Sequence, residues 1–144
     1  KAQWLELWAG YVTYYRATLA DNVTNTTWAR MLDAQGDIHG LCAVDENGTL
    51  VGIVHYLFHP VTWAAAPRCY LEDLFTAKDA RGQGVARALI EAVRQAALSQ
   101  GSDQVYWLTE DYNERAQFLY DKVASKTPFI KYQISLGSKG SKSN

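Results

Sequence analysis

Glu72 and Asp73, followed closely by the glycine pair Gly82 and Gly84, are the residues whose types and spacing first suggest chemistry. Residues 70–87 read Tyr-Leu-Glu-Asp-Leu-Phe-Thr-Ala-Lys-Asp-Ala-Arg-Gly-Gln-Gly-Val-Ala-Arg, a strand, a glycine turn and a helix start in succession. Without a Cβ, the two glycines let the backbone turn tightly and approach a ligand. A helix opening near Gly84 directs free N–H groups and the positive end of its dipole at an anion. The strand entering the turn carries two carboxylates beside the place such a ligand would occupy.

The elements that must position this stretch follow from periodicity. Trp4, Leu5, Trp8, Tyr11, Val12, Tyr15 and Leu19 recur at helical spacing, which predicts an aromatic core-facing helix over 2–19. Asp21 and Asn22 break that pattern, and Thr24 or Asn25 could cap a second helix reaching Ala34. The period then switches to strand over 38–44 and 50–58, joined through Asn47-Gly48 as a hairpin. In the second strand Leu50, Val54, Tyr56 and Phe58 share one face and Val51, Ile53 and Leu57 the other, so both faces should be covered. A strand over 69–75 and a helix from the glycine turn to Gly101 follow, the helix with Val85, Leu89, Ile90, Val93, Ala96 and Ala97 in its stripe. A short strand over 105–109 completes a right-handed crossover, which makes it a parallel neighbour of the 69–75 strand. Asn113 suits the N-cap of a helix over 114–123, 129–136 reads as a last strand, and the Gly-Ser-Lys ending as a flexible tail over 137–144.

Bulk properties narrow the function. The 144 residues fit one domain, and a formal net charge of −1 gives no electrostatic footprint for nucleic acid or an anionic membrane. No apolar run reaches the length of a membrane span and no leader pattern opens the sequence. Cys42 and Cys69 lie in strand-like segments without metal-ligand spacing and read as reduced core thiols of a cytoplasmic protein. His55 and His59 have no cluster around them, so no metal is expected, and His55 reads as a strand histidine with a satisfied hydrogen bond.

Two familiar phosphate loops fail against the turn. A dinucleotide fingerprint needs Gly or Ala where Arg87 stands, and a triphosphate P-loop needs Gly-Lys followed by Ser or Thr. What remains is Arg-x-x-Gly-x-Ala over 81–86. With that motif, with Tyr-Leu-Glu-Asp-Leu-Phe over 70–75 and with Asn-Glu-Arg-Ala-Gln-Phe-Leu-Tyr over 113–120, the chain resembles the GNAT superfamily of acetyl-coenzyme A dependent N-acetyltransferases. Within it, the chain is similar to the diamine and polyamine acetyltransferases and to the yeast-type enzymes that modify histones and other proteins.

The resemblance implies an α/β (α+β) fold over residues 1–136, a mixed, mostly antiparallel sheet with a splayed parallel pair at its centre and helices on both faces. It implies that Leu74, Phe75 and Thr76 hold the acetyl-pantetheine arm of acetyl-CoA. Arg81, Gly82, Gln83, Gly84, Val85, Ala86 and Arg87 would take the pyrophosphate, Asn113 and Ala116 the far side of the arm, and Tyr120 a place near the sulfur. A primary amine with a pKa of about 10.4 is mostly protonated at neutral pH, so a base is useful. Glu72, a carboxylate in an otherwise apolar strand, is the candidate, with a purely orienting role as its rival. By strand alternation Asp73 points to the opposite face and reads as a hydrogen-bonded structural group. Tyr120 would act as general acid toward the leaving thiolate, with transfer direct rather than through a cysteine. Glu110 and Asp111 would make the mouth acidic and suit a cationic amine, although a solvated turn is the simpler reading. The alternative function is a noncatalytic acyl-CoA sensor or scaffold, which would need neither Glu72 nor Tyr120. Relative to the family pattern the first strand is missing ahead of the opening helix, which leaves the 38–44 strand as a bare edge. Pairing of the 129–136 strand with a second chain makes a homodimer the expected assembly.

Overall fold

A computed structural model describes residues 1–137 of the chain. The elements are α1 (Ala2–Tyr14), α2 (Asp21–Leu32), β1 (Ile38–Val44), β2 (Leu50–His59), β3 (Arg68–Thr76), α3 (Val85–Ser99), β4 (Val105–Tyr106) and α4 (Glu114–Val123), with a 3-10 turn at Lys78–Ala80. The strands form one sheet in the order β1-β2-β3-β4, with antiparallel pairs except for parallel β3 and β4. On one face α1 sets Trp4, Leu7, Trp8 and Tyr11 against Ile53. On the other, Leu89, Ile90, Val93 and Ala97 of α3 cover Val54, Tyr56, Cys69 and Leu71. This is the mixed sheet with helices on both faces that the sequence implies, but among the described residues its parallel pair lies at one end and not at its centre, so β1 and β4 are its two edges.

Two interruptions of the strand pairing matter. At the β1–β2 end the register passes from Ala43↔Gly52 to Val44↔Leu50, so Val51 is an inserted residue. Leu50 therefore packs with the α1 cluster instead of sharing the face of Val54, as unbroken alternation would have it. Between β2 and β3 the register passes from His55↔Asp73 to Tyr56↔Leu71, and Glu72 is the inserted residue. A bulge of this kind re-aims the side chains around it. Leu71 faces α3, and strict alternation would put Asp73 there too; instead Asp73 is buried against His55 on the α1 side.

Other boundaries shift for local reasons. Helix α1 stops at Tyr14, not Leu19, because Arg16 takes φ 55° and turns the chain away, although Tyr15 and Leu19 still pack on the α1 cluster. Helix α2 begins at Asp21, ahead of the expected Thr24 or Asn25 cap, and ends at Leu32. An aspartate in the first turn complements the helix dipole, so the supposed breaker is a starter. Cys42 is exposed on β1 and is no core thiol, whereas Cys69 is buried. The expected strand over 129–136 is absent: residues 125–136 form no helix or strand and every residue from 124 to 137 is exposed. Of the expected tail, 138–144 lies outside the described residues.

Helix α3 approaches the sheet closely at Gly52, where a Cβ would sit 2.6 Å from Val85 Cγ1 and 3.0 Å from Leu89 Cδ1. Overpacking such a contact costs roughly 1–3 kcal/mol. Gly52→Val should lower the thermal unfolding midpoint by several degrees; an unchanged midpoint would show that α3 is not seated there.

Candidate active site

The site begins where two strands part. Parallel pairing of β3 and β4 is confined to Cys69↔Val105 and Tyr70↔Tyr106, after which β4 ends. Beyond Tyr70, β3 continues to Thr76 with β2 on one side and no strand on the other among the described residues. Its main-chain N–H and C=O groups on that side need a partner, because buried backbone polar groups are almost always satisfied. A cleft of about 750 Å³ opens along this edge.

One end of the cleft is the glycine turn. Gly82 and Gly84 adopt φ of 80° and 79°, the left-handed region that favours glycine, and no atom lies within 4 Å of where a Cβ would stand. Gly84 is the N-cap of α3 and offers no side-chain cap, which leaves the first-turn N–H groups available to an anion. Arg81 braces the turn: its Nε donates to the Thr76 carbonyl at 3.3 Å and its guanidinium lies 5.5 Å from the Phe75 ring centroid. Opposite, the Asn113 side chain accepts from the Ala116 N–H at 3.2 Å as the N-cap of α4, as its position in the sequence suggests.

Glu72, Leu74, Phe75, Thr76, Arg81, Gly82, Gly84, Val85, Ala86, Arg87, Asn113, Ala116 and Tyr120 all line this one cleft. Gln83 does not; its amide instead donates to the Asp79 carbonyl at 3.4 Å. Glu72 is exposed in the cleft wall, so the burial that was to raise its proton affinity is absent, because the bulge lifts it out of the strand's packed pattern. Tyr120 is half-buried, with its ring edge-on to Trp107 at 5.3 Å between centroids. Burial raises its phenol pKa above the ordinary 10.0, and the charges of Glu110 and Tyr14 add to the rise, so the hydroxyl keeps its proton at neutral pH. Cys69 is raised to about 11 by burial, which makes it a poor nucleophile.

Several contributors escape the sequence reading. Tyr11, Tyr14 and Tyr15 of the α1 end also line the cleft. The signal was present as three phenols at the C-terminal end of an otherwise indole- and leucine-rich helix, since a buried tyrosine hydroxyl calls for a partner. Tyr14 receives a hydrogen bond from Asn113 at 3.3 Å, and Tyr15 is raised to about 12, first by burial and then by the Glu110 charge. Glu110 is no solvated turn: it is half-buried, and its Oε2 is covered without a hydrogen-bond partner.

Behind the wall lies a buried polar chain. Trp4 Nε1–H donates to His55 Nε2 at 3.0 Å, which places the imidazole proton on Nδ1, where it donates to Asp73 Oδ2 at 3.0 Å. Tyr11 is hydrogen-bonded to Asp73, and burial followed by the Asp73 charge pushes its phenol far up. The expected readings of His55 and Asp73 as satisfied structural groups therefore hold, and together they pin α1 to β3. Asp73→Ala leaves the His55 and Tyr11 donors without their acceptor, a loss of about 3 kcal/mol. Chemical denaturation should show a lowered midpoint with an unchanged slope; a midpoint equal to wild type would contradict the chain.

The parted strand pair, the glycine turn and the flanking helix thus frame one cleft, with an uncapped helix N-terminus at one end. Residues 3–124 match the Acetyltransferase (GNAT) family, and the chain belongs to it. It is 40% identical over 131 residues to the D-amino-acid N-acetyltransferase HPA3 of Saccharomyces cerevisiae, covering 90% of this chain and 81% of that protein. It is 33% identical over 98 residues to the thialysine N-epsilon-acetyltransferase of Bos taurus, covering 68% of this chain and 53% of that protein, about half its length. Among solved structures, the ribosomal-protein-alanine N-acetyltransferase of Brucella melitensis biovar Abortus superposes with a TM-score of 0.73 at 21% identity, covering 94% and 92% of the two chains. AAC(6')-Iy, solved with a CoA-containing bisubstrate analogue, superposes with a TM-score of 0.75 at 21% identity, covering 91% and 90%. These last two likenesses speak for the fold.

Proposed function

We propose that this protein transfers the acetyl group of acetyl-CoA directly to the primary amine of a small cationic substrate, with free amino acids as the leading class. The observation that carries the reading is the β3 edge left without a strand partner beyond Tyr70 and running into the glycine turn. The residues present fit the coenzyme: an extended main chain for the pantetheine amides, two glycines clear of any side chain and an uncapped helix N-terminus for the pyrophosphate. The coenzyme supplies the activated acyl group as a thioester. Backbone N–H groups of Leu74, Phe75 or Thr76 orient the acyl carbonyl and stabilise negative charge on its oxygen. Tyr120, held protonated, gives its proton to the departing sulfur.

Glu72 and Glu110 attract the ammonium form of the amine. Glu72 orients it and, through its exposure to solvent, passes its proton to water. The covered, partnerless Glu110 oxygen, in a residue whose charge reaches the cleft tyrosines Tyr15 and Tyr120, is a ready acceptor for an ammonium N–H. Both named relatives act on amino acids by their names, which supports a reading with amino-acid amines ahead of polyamines and protein lysines. The free thiols Cys42 and Cys69 suit a reducing cytoplasm.

The first test is thiol release from acetyl-CoA against a panel of amino acids of both hands, thialysine, diamines and lysine peptides. Turnover with at least one amino acid is expected; binding without release on every amine would establish a sensor instead. Tyr120→Phe should lower kcat by about 10²–10⁴-fold with little change in coenzyme affinity. Because the phenol pKa is raised, the wild-type rate should not fall through Tyr120 ionisation below about pH 10. An alkaline limb centred lower and lost in Tyr120→Phe would overturn the acid role. Glu110→Gln should raise KM for cationic amines roughly tenfold or more, the value of one charged hydrogen bond, while leaving coenzyme affinity intact. An unchanged KM would remove Glu110 from the amine site.

A further inference from the structure

A row of hydrogen bonds runs from the buried middle of the sheet to the cleft, and its direction is set at the buried end. Trp4 Nε1–H donates to His55 Nε2, so the imidazole donates through Nδ1 to Asp73 Oδ2, both at 3.0 Å. A carboxylate only accepts, so the bond between Asp73 and Tyr11 is donated by the phenol. Tyr11 is hydrogen-bonded to Tyr15 as well, with the two rings edge-on at 5.0 Å between centroids. A phenol has one proton to give. That of Tyr11 goes to the carboxylate, the stronger acceptor, and the bond between the two tyrosines is therefore donated by Tyr15.

Tyr15 stands at the outer end of this row. It is half-buried and lines the cleft, and with its proton turned inward its oxygen presents lone pairs there. The adjacent Tyr14 has the opposite polarity: it accepts from Asn113 Nδ2 at 3.3 Å and keeps its own proton for donation. The charge of Glu110 reaches Tyr15, and Glu110 Oε2 is covered without a hydrogen-bond partner. Two acceptors of fixed polarity thus serve one neighbourhood of the cleft.

We infer that Tyr15 contacts the substrate in the acetylation proposed above, on which this assignment rests: its phenol oxygen accepts one N–H of the amine while Glu110 accepts another. Tyr11 and Asp73 are positioning residues that act through Tyr15 by holding its proton inward. The chemistry of a primary amine fits such a pair. An ammonium brings three N–H bonds, and once one proton has gone to solvent two N–H bonds and a lone pair remain. Held at both N–H bonds, the nitrogen has only its lone pair left to direct, so the two acceptors orient the nucleophile. A hydroxyl at liberty to turn would donate to that lone pair and block attack. A secondary amine has a single N–H at this stage and leaves one acceptor facing carbon, at a cost of about tenfold or more.

The test pairs each amine that is turned over with the form methylated at the acetylated nitrogen and measures kcat/KM for both. Wild type should favour the primary amine by at least about tenfold. Tyr15→Phe keeps the ring and removes the acceptor. It should lower kcat/KM for the primary amine about tenfold, chiefly through KM, and leave the methylated form within about twofold, so the preference collapses. Tyr11 is only 4% exposed, yet Tyr11→Phe removes the acceptor of the Tyr15 proton and should narrow the same ratio. A merely structural lesion there would slow both amines alike. A wild type without preference, or a ratio that Tyr15→Phe leaves at the wild-type value, would overturn the contact. A wild-type ratio in Tyr11→Phe would overturn the positioning role. The absence of thiol release with any amine would overturn the assignment together with the acetylation reading.

Discussion

Everything in this structure turns on the parting of two parallel strands after a single pair of matched residues beyond Cys69 and Val105. While β3 and β4 run together they form an ordinary crossover unit, with α3 packed across them and Tyr70 and Tyr106 in ring contact 4.9 Å apart. Once they separate, β3 keeps its pairing with β2 and has no strand on its other side among the described residues, so the protein holds an extended main chain with one edge open to the cleft. The glycine turn is useful because it lies at the end of that edge. The cap of α4 is useful because it brings Tyr120 to the opposite wall.

Holding a half-paired strand straight requires support from behind. α3 supplies it on one face with Leu89, Ile90 and Val93, and comes close enough at Gly52 that no larger residue would fit. α1 supplies it on the other through stacked indoles, Trp4 and Trp8 lying 5.6 Å apart at 8° between planes, and through the Trp4–His55–Asp73 hydrogen bonds. The bulge at Glu72 joins the two demands. It sends Asp73 inward to this buried chain and leaves Glu72 in the cleft, so neighbouring acids of like chemistry acquire unlike duties. A buried place for Asp73 and a cleft-facing one for Glu72 follow from one inserted residue.

Much of this was legible in the residues. The hairpin, the crossover, the glycine turn and the Asn113 cap each rest on a local rule with a short range: turn chemistry, alternation, helical spacing, capping. The misses share a different cause. Glu72 was placed in a buried strand, and Leu50 on the wrong face, because alternation carries no mark of where a bulge falls. Helix α1 was drawn too long because Arg16 gives no warning of its positive φ. Tyr14 went unassigned, Tyr11 and Tyr15 were read only as core packing and Glu110 as a turn at the mouth, because a cleft between a helix end, a strand end and a loop is a tertiary fact. The strand read over 129–136 has strand character in its pattern, but a strand exists only beside another, and among the described residues none lies beside it.

The central claim is that the open edge of β3 is where acetyl-CoA lies, and amide hydrogen exchange with and without acetyl-CoA tests it most directly. The account predicts that bound coenzyme slows exchange at Leu74, Phe75 or Thr76 and in the first turn of α3, with the β1 edge unaffected. Equal exchange along 71–76 in the two states, under conditions where binding is saturated, would contradict it.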